Sequence, residues 1–178
     1  MHEEIAIGGA GGQGVLFIGR LLAEAGMREG HEVLWLPWYG AAKRGGTVWC
    51  NVAISDEKIG EMFVNRPSAA IAMNSAALVK LSTMMQSGSV LVVNQSLAKE
   101  RITREDIQAV YVPASEIAIE LGDESVGNLV ALGALIASRS MVSMSSIAAV
   151  MDTLLPKNQK LEMNKKALSR GYAHLSRV

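Results

Sequence analysis

Five glycines crowd the seven positions from Gly8 to Gly14, directly after a short apolar run and directly before a stretch with helical periodicity. Glycine-rich backbone turns sharply and approaches its neighbours without Cβ clashes. Residues 4–7 read as the first strand. From Val15 onward, Val15, Ile18, Leu22 and Ala25 share one helical face, and Gly30 stands where a helix C-cap takes glycine. Residues 33–37 read as a second strand. Strand, glycine turn, helix and strand in that order predict the Rossmann-like βαβ opening of a parallel α/β sheet.

The rest of the chain extends that sheet and then turns helical. Residues 38–46 read as a loop bounded by Tyr39-Gly40 and Gly45-Gly46. Residues 47–54 have strand composition and follow strand two with no helix between, so an antiparallel course is open to them. Residues 69–73 read as a strand, 75–85 as a helix, and 90–93 and 109–112 as further strands, the last two joined by the charged stretch 99–106. Everything beyond is read as helical. Leu129, Leu132, Leu135 and Ile136 mark a helix that is apolar nearly all round and therefore buried. Residues 138–146, rich in serine, read as a loop. Ile147, Val150, Met151 and Leu154 form an amphipathic helix stopped by Pro156, and Leu161, Leu168, Tyr172 and Leu175 mark a last one. The expected fold is a single three-layer α/β/α domain over residues 1–178 with a mostly parallel, mixed sheet.

Composition narrows the function classes. The 17 basic and 17 acidic residues cancel, which gives no global reason to expect nucleic acid or an anionic membrane as partner. No apolar run reaches the roughly 18 residues that span a bilayer. The N-terminus, MHEEIAIGG, lacks the basic start and apolar stretch of a secretory signal, and a cytoplasmic location is expected. Hydrophobic residues make up 49% of the chain, which fits surface buried against partners or a helix-rich core. Cys50 is the only cysteine, too few for a disulfide or a four-cysteine cluster site. His2, His31 and His174 stand apart from one another and from any metal-binding pattern, so no metal site is expected.

Two segments carry candidate chemistry. Gly9-Ala-Gly11-Gly12-Gln13-Gly14 fits GxGxxG between a strand and a helix, where backbone amides and the helix N-terminus favour a phosphate. A nicotinamide-dinucleotide site would also want an acid at the end of strand two. That strand ends Leu36-Pro37-Trp38-Tyr39, with no acid until Asp56, and no lysine follows Gly14 as a Walker loop requires. A tight packing turn explains the glycines equally well. The second segment, Trp38-Tyr39-Gly40-Ala-Ala-Lys43-Arg44-Gly45-Gly46-Thr47, has Trp35 and Trp49 on its flanks. Aromatics around glycines and two cations suit a partner surface or an organic anion. The plainer alternative is a surface loop with a solvated Lys-Arg pair and tryptophans that fill the core.

Taken in order, these segments resemble a known family. The glycine turn with Val15, then Tyr39-Gly40 with Lys43-Arg44-Gly-Gly-Thr47, Cys50, Ile54-Ser55, Ile71-Ala-Met73-Asn74, Asn128-Leu129-Val130-Ala131-Leu132-Gly133-Ala134-Leu135 and Asn164-Lys-Lys-Ala167 resemble the gamma subunit of 2-oxoacid:ferredoxin oxidoreductases. Gly46-Thr47 with Cys50 looks closest to the 2-oxoglutarate and 2-ketoisovalerate branch. Two acidic positions frequent in the family are replaced here by Ala41-Ala42 and Pro67-Ser68.

The resemblance implies an oxidoreductase subunit that is not active alone. The complex would oxidise a 2-oxoacid, 2-oxoglutarate in the first place, to acyl-CoA and CO2 with ferredoxin reduced. Alpha and beta subunits, with a delta subunit, would carry thiamine diphosphate and the iron–sulfur clusters, and this chain would bind no cofactor by itself and hold no catalytic residue. Coenzyme A is the expected shared ligand, with Gly11, Gly12, Gln13, Gly14, Lys43 and Arg44 as candidate contacts. The same residues would equally serve subunit docking. A stand-alone nucleotide-binding oxidoreductase and an assembly subunit that binds no small molecule are the alternatives.

Overall fold

The computed structural model describes residues 1–40, 46–60 and 66–175. Its elements are β1 (His2–Ala10), α1 (Val15–Arg28), β2 (Glu32–Tyr39), β3 (Thr47–Ser55), β4 (Ala69–Ala72), α2 (Ser75–Met84), β5 (Val90–Asn94), β6 (Gln108–Val112), α3 (Ala114–Glu120), a 3-10 turn (Glu124–Val126), α4 (Gly127–Ser138), α5 (Met144–Leu154) and α6 (Gln159–Leu175). Among the described residues the strands form one six-stranded sheet in the order β2-β3-β1-β4-β5-β6. The pairs β1–β4, β4–β5 and β5–β6 are parallel, whereas β3 runs antiparallel to both β1 and β2.

The opening βαβ unit is therefore split. β3 fills the place between β1 and β2, matching Ala10 to Thr47 on one side and Tyr39 to Val48 on the other. The reason is local: seven residues separate Tyr39 from Thr47, too few for a parallel crossover, so β2 and β3 pair antiparallel as a ribbon that docks on β1 through its second strand. β4 and β5 are buried along their whole length, as strands covered on both faces must be.

Side chains alternate between two cores. Ile5, Ile7, Val52 and Ile54 face a larger core shared with α1, α3, α4, α5 and α6. Ala6, Ala70, Ala72, Leu91 and Val93 face a smaller one capped by α2. The three-layer expectation holds, with helices distributed unequally. α3, two turns long, is the element that the sequence does not single out. Its N-cap is Pro113, which offers no capping side chain, and seven residues are too few for a clear period. The serine-rich segment is less of a loop than expected: Ser138 ends α4, and Ser143 caps α5 by accepting from the Ser146 amide at 3.1 Å.

α4 is the hinge of the larger core. Every residue from Gly127 to Ile136 is buried, between the sheet below and α6 above. α6 reaches it backbone to backbone. A Cβ at Gly133 would strike the Leu168 carbonyl, and one at Gly171 would strike the Val130 carbonyl. Replacing Gly171 by Ala must push the two helices apart along a packed seam. The expected cost is about 2–3 kcal/mol of unfolding free energy, read from urea denaturation; an unchanged midpoint would show that the seam is slack.

Candidate functional site

The connection after β1 runs through α1 towards β2, and the connection after β4 runs through α2 in the opposite direction to β5. α1 and α2 lie on opposite faces of the sheet. The crevice beyond the C-terminal ends of β1 and β4 is thus a topological switch point, the place where open α/β sheets bind ligands. The glycine turn, residues 11–14, sits there.

Three side-chain amides fix the turn. The Gln13 Oε1 accepts from the Ala10 amide at 2.7 Å and from Asn74 Nδ2 at 3.3 Å, and Gln13 Nε2 donates to the Met73 carbonyl at 3.4 Å. Asn74 in turn caps α2, accepting from the Ala77 amide at 2.9 Å. On the other side, Asn128 Nδ2 donates to the Gly14 carbonyl at 3.2 Å. Gly14 has φ +69°, a left-handed conformation, and a Cβ there would land on the Asn128 side chain. Gln13, expected as a candidate ligand contact, is built into the turn itself. A glutamine three residues after the amide it receives is the signal that the sequence carried.

Between these groups lies a cavity of about 270 Å³, lined by Gly12, Gln13, Met73, Ser115, Ser125 and Asn128, with Glu124 also at its wall. Two helices begin here. The N-cap of α1 is Gly14 and that of α4 is Val126, and neither supplies a capping side chain. The starts of α1 and α4 thus meet at one small space; the Gly127 amide donates to the Glu124 carbonyl and the Leu129 amide to Asn128 Oδ1 at 2.9 Å, which leaves the two helix dipoles to favour a negative group. The volume suits a phosphate or carboxylate rather than a whole dinucleotide.

Lys43 and Arg44 lie outside the described residues. Their flanks are placed beside the turn: the Gly11 amide donates to the Gly46 carbonyl at 2.9 Å, and the Gly40 amide donates to the Thr47 carbonyl at 2.8 Å. The tryptophans do not act as one cluster. Trp35 turns into the larger core, where its indole N–H donates to Cys50 Sγ at 3.0 Å. Burial pushes the Cys50 thiol up to about 12, so it stays protonated at neutral pH. Trp49 lies on the opposite face with the Lys80 ammonium 4.3 Å from its ring centre. Trp38 and Tyr39, 51% and 74% exposed, project beside the 41–45 segment.

The first acid after strand two is at the wrong end of the molecule. Asp56 follows β3 and pairs with the terminal amino group of Met1 and with His31, 2.8 Å away. The length of β1, roughly 27 Å, separates it from the turn. Among the described residues, no group of three or more His, Cys, Asp or Glu side chains is placed to hold a metal ion, and no helix is long and apolar enough to cross a membrane.

Comparison with known proteins adds the following. A family model described as pyruvate ferredoxin/flavodoxin oxidoreductase matches residues 4–174. The 2-oxoglutarate synthase subunit KorC of Methanocaldococcus jannaschii is 31% identical over 175 residues, which is 97% of this chain and 93% of that protein. The ketoisovalerate oxidoreductase subunit VorA of Methanothermobacter marburgensis is 34% identical over 169 residues, 94% of this chain but 35% of that protein. The chain thus spans about a third of the length of VorA. Among solved structures, the gamma subunit of a keto/oxoacid ferredoxin oxidoreductase from Geobacter sulfurreducens superposes with a TM-score of 0.85 at 29% identity, covering 99% of both chains. The 2-oxoglutarate:ferredoxin oxidoreductase from Magnetococcus marinus, solved with 2-oxoglutarate, coenzyme A and succinyl-CoA bound, superposes with a TM-score of 0.89 at 25% identity, covering 99% of this chain and 31% of that one.

Because the Gln13 amide satisfies a partly buried N–H at Ala10, Gln13→Ala is expected to lower stability by about 1–2 kcal/mol. Gln13→Glu, which keeps the acceptor but loses the donor to Met73, should cost less. Thermal unfolding of the pair checks this, and an Ala variant as stable as the parent would mean that the turn holds itself.

Proposed function

We infer the function from one premise: the chain belongs to the pyruvate ferredoxin/flavodoxin oxidoreductase family, whose model matches residues 4–174. On that premise the chain acts, as a single domain, as the gamma subunit of a cytoplasmic 2-oxoacid:ferredoxin oxidoreductase. The complex converts a 2-oxoacid to acyl-CoA and CO2 and passes the electrons to ferredoxin. The substrate assigned is 2-oxoglutarate, supported by the end-to-end similarity to KorC. Thiamine diphosphate and iron–sulfur clusters belong to alpha, beta and delta partners and supply the decarboxylation and electron transfer. This chain has a single cysteine, buried and hydrogen-bonded by Trp35, and so offers no ligand set for a cluster.

Its own contribution is to hold coenzyme A. The observation that carries this reading is the convergence of the α1 and α4 N-termini on the cavity at the switch point. The Gly11–Gly14 turn receives a phosphate there, and Lys43 and Arg44 supply charge from the segment that leaves the sheet beside Gly11. The serines and amides around the site bind and orient, and among the described residues the cavity lining includes no cysteine, lysine or histidine. Docking of partner subunits by the same segment is the second reading, supported by the exposure of Trp38 and Tyr39. A stand-alone nicotinamide enzyme is disfavoured by the position of Asp56.

Two measurements test the assignment. The isolated chain, supplied with thiamine diphosphate, coenzyme A and an acceptor, is expected to show no 2-oxoacid oxidation; sustained turnover would overturn the subunit role. In the assembled complex, Arg44→Ala should weaken apparent coenzyme A affinity by about 1.5–3 kcal/mol, with Arg44→Lys recovering part of it. A loss independent of subunit concentration supports the ligand role, and a loss rescued by excess subunit supports docking.

A further inference from the structure

A broad groove lies at the other end of α2 from the glycine turn. It encloses about 730 Å³ between the second half of α2 and the 100–104 segment. Its floor is apolar, with Leu78, Met85 and Ile102, and Val79 on its wall is 60% exposed. Among the described residues three arginines, Arg66, Arg101 and Arg104, line it against one carboxylate, Glu100.

The arginines are not equivalent. Arg104 is used up internally: its Nη1 donates to the Ser82 and Met85 carbonyls at 2.9 and 2.8 Å, ending α2, while Nε and Nη2 grip Asp106. Arg101 is held but unspent. Its guanidinium stacks 3.8 Å from the Tyr111 ring centre, and the Tyr111 hydroxyl is itself fixed by the Ile102 amide at 2.9 Å. Among the described residues neither Arg101 nor Arg66 has a carboxylate or hydrogen-bond partner. Glu100 does not fill that role: among the described residues it forms no ion pair, and the nearness of Ser75 keeps its carboxyl below the usual range. A pre-positioned guanidinium fork beside exposed apolar surface is the make-up of an interface anchor.

We propose that this groove docks an acidic segment of a partner subunit, with a carboxylate on Arg101, a second on Arg66, and an apolar side chain against Val79 and Ile102. The proposal rests on the chain being a subunit of a complex. The groove is open and broad, whereas a small-molecule site buries most of its ligand, and its charge selects an acidic partner. α2 starts at the switch point and ends at the groove, so a partner seated here leaves the turn accessible.

The test reconstitutes the complex from purified subunits and measures assembly by analytical ultracentrifugation at low and high salt. Arg101→Glu and Arg66→Glu lie on exposed side chains, and circular dichroism confirms that each folds; Arg101→Ala serves as the milder variant. The expected result is assembly weakened about tenfold or more by either reversal, less by Arg101→Ala, and a shallower salt dependence than the parent's, with coenzyme A affinity of the residual complex unchanged. Normal assembly of all three variants overturns the proposal and leaves the subunit role standing, even if the variants lose affinity for inorganic pyrophosphate, which would make the groove a small-anion site. Failure of the parent itself to assemble overturns both.

Discussion

Three side-chain amides, Gln13, Asn74 and Asn128, hold together the ends of β1, β4 and α4. Gln13 ties the Ala10 amide to the Met73 carbonyl, Asn74 joins Gln13 to the start of α2, and Asn128 reaches the Gly14 carbonyl from α4. Such a network is strong only when complete, because in a low-dielectric setting an unpaired amide is costly. Its geometry decides where everything else goes. It sets the left-handed exit at Gly14, the direction of α1, and the approach of the α4 N-terminus. The small cavity is the space these constraints leave over, which is why a binding site and a structural joint occupy the same few residues.

The charge logic of that site is carried by backbone. The side chain of Glu124 at its wall is negative, and the described residues of the turn bring no cation. Among the described residues, attraction for an anion therefore rests on the helix dipoles of α1 and α4. The shape of the cavity comes from the ends of β1 and β4 and the starts of α1 and α4.

Local features were legible in the sequence wherever one residue type has one dominant use. The glycines announced the turn, the apolar run from Leu129 announced a buried helix, and Thr47–Ser55 announced a strand that could run against its neighbour. Placement of that strand between β1 and β2 was not legible, since pairing partners leave no local periodicity. α3 was hidden by its brevity, and the caps at Ser143 and Asn74 were hidden because a polar residue reads alike in a loop and at a helix start. Gln13 illustrates the hardest case. Its position beside glycines made a ligand contact the natural expectation, and only the nearness of Met73 and Asn74, some sixty residues on, reveals it as a strut. Of the six candidate contacts, Gly11, Gly12, Gln13 and Gly14 are gathered at the cavity or beside it, while Lys43 and Arg44 fall outside the described residues.

The burial of α4 also governs when the protein can become itself during synthesis. Its inner face covers β4 and β5, α3 and α1 lie along its sides, and α6, Gln159–Leu175, closes its outer face through the glycine seam. A ribosome adding about 5–20 residues per second delivers the whole sheet several seconds before that last helix. During the interval the nascent chain displays the face of an apolar helix that α6 has yet to cover. Productive folding is thus a late event, timed by the emergence of a mostly polar helix whose inner stripe completes the core, and a chaperone that shields Leu129–Ile136 in the meantime would act on the segment most in need of cover.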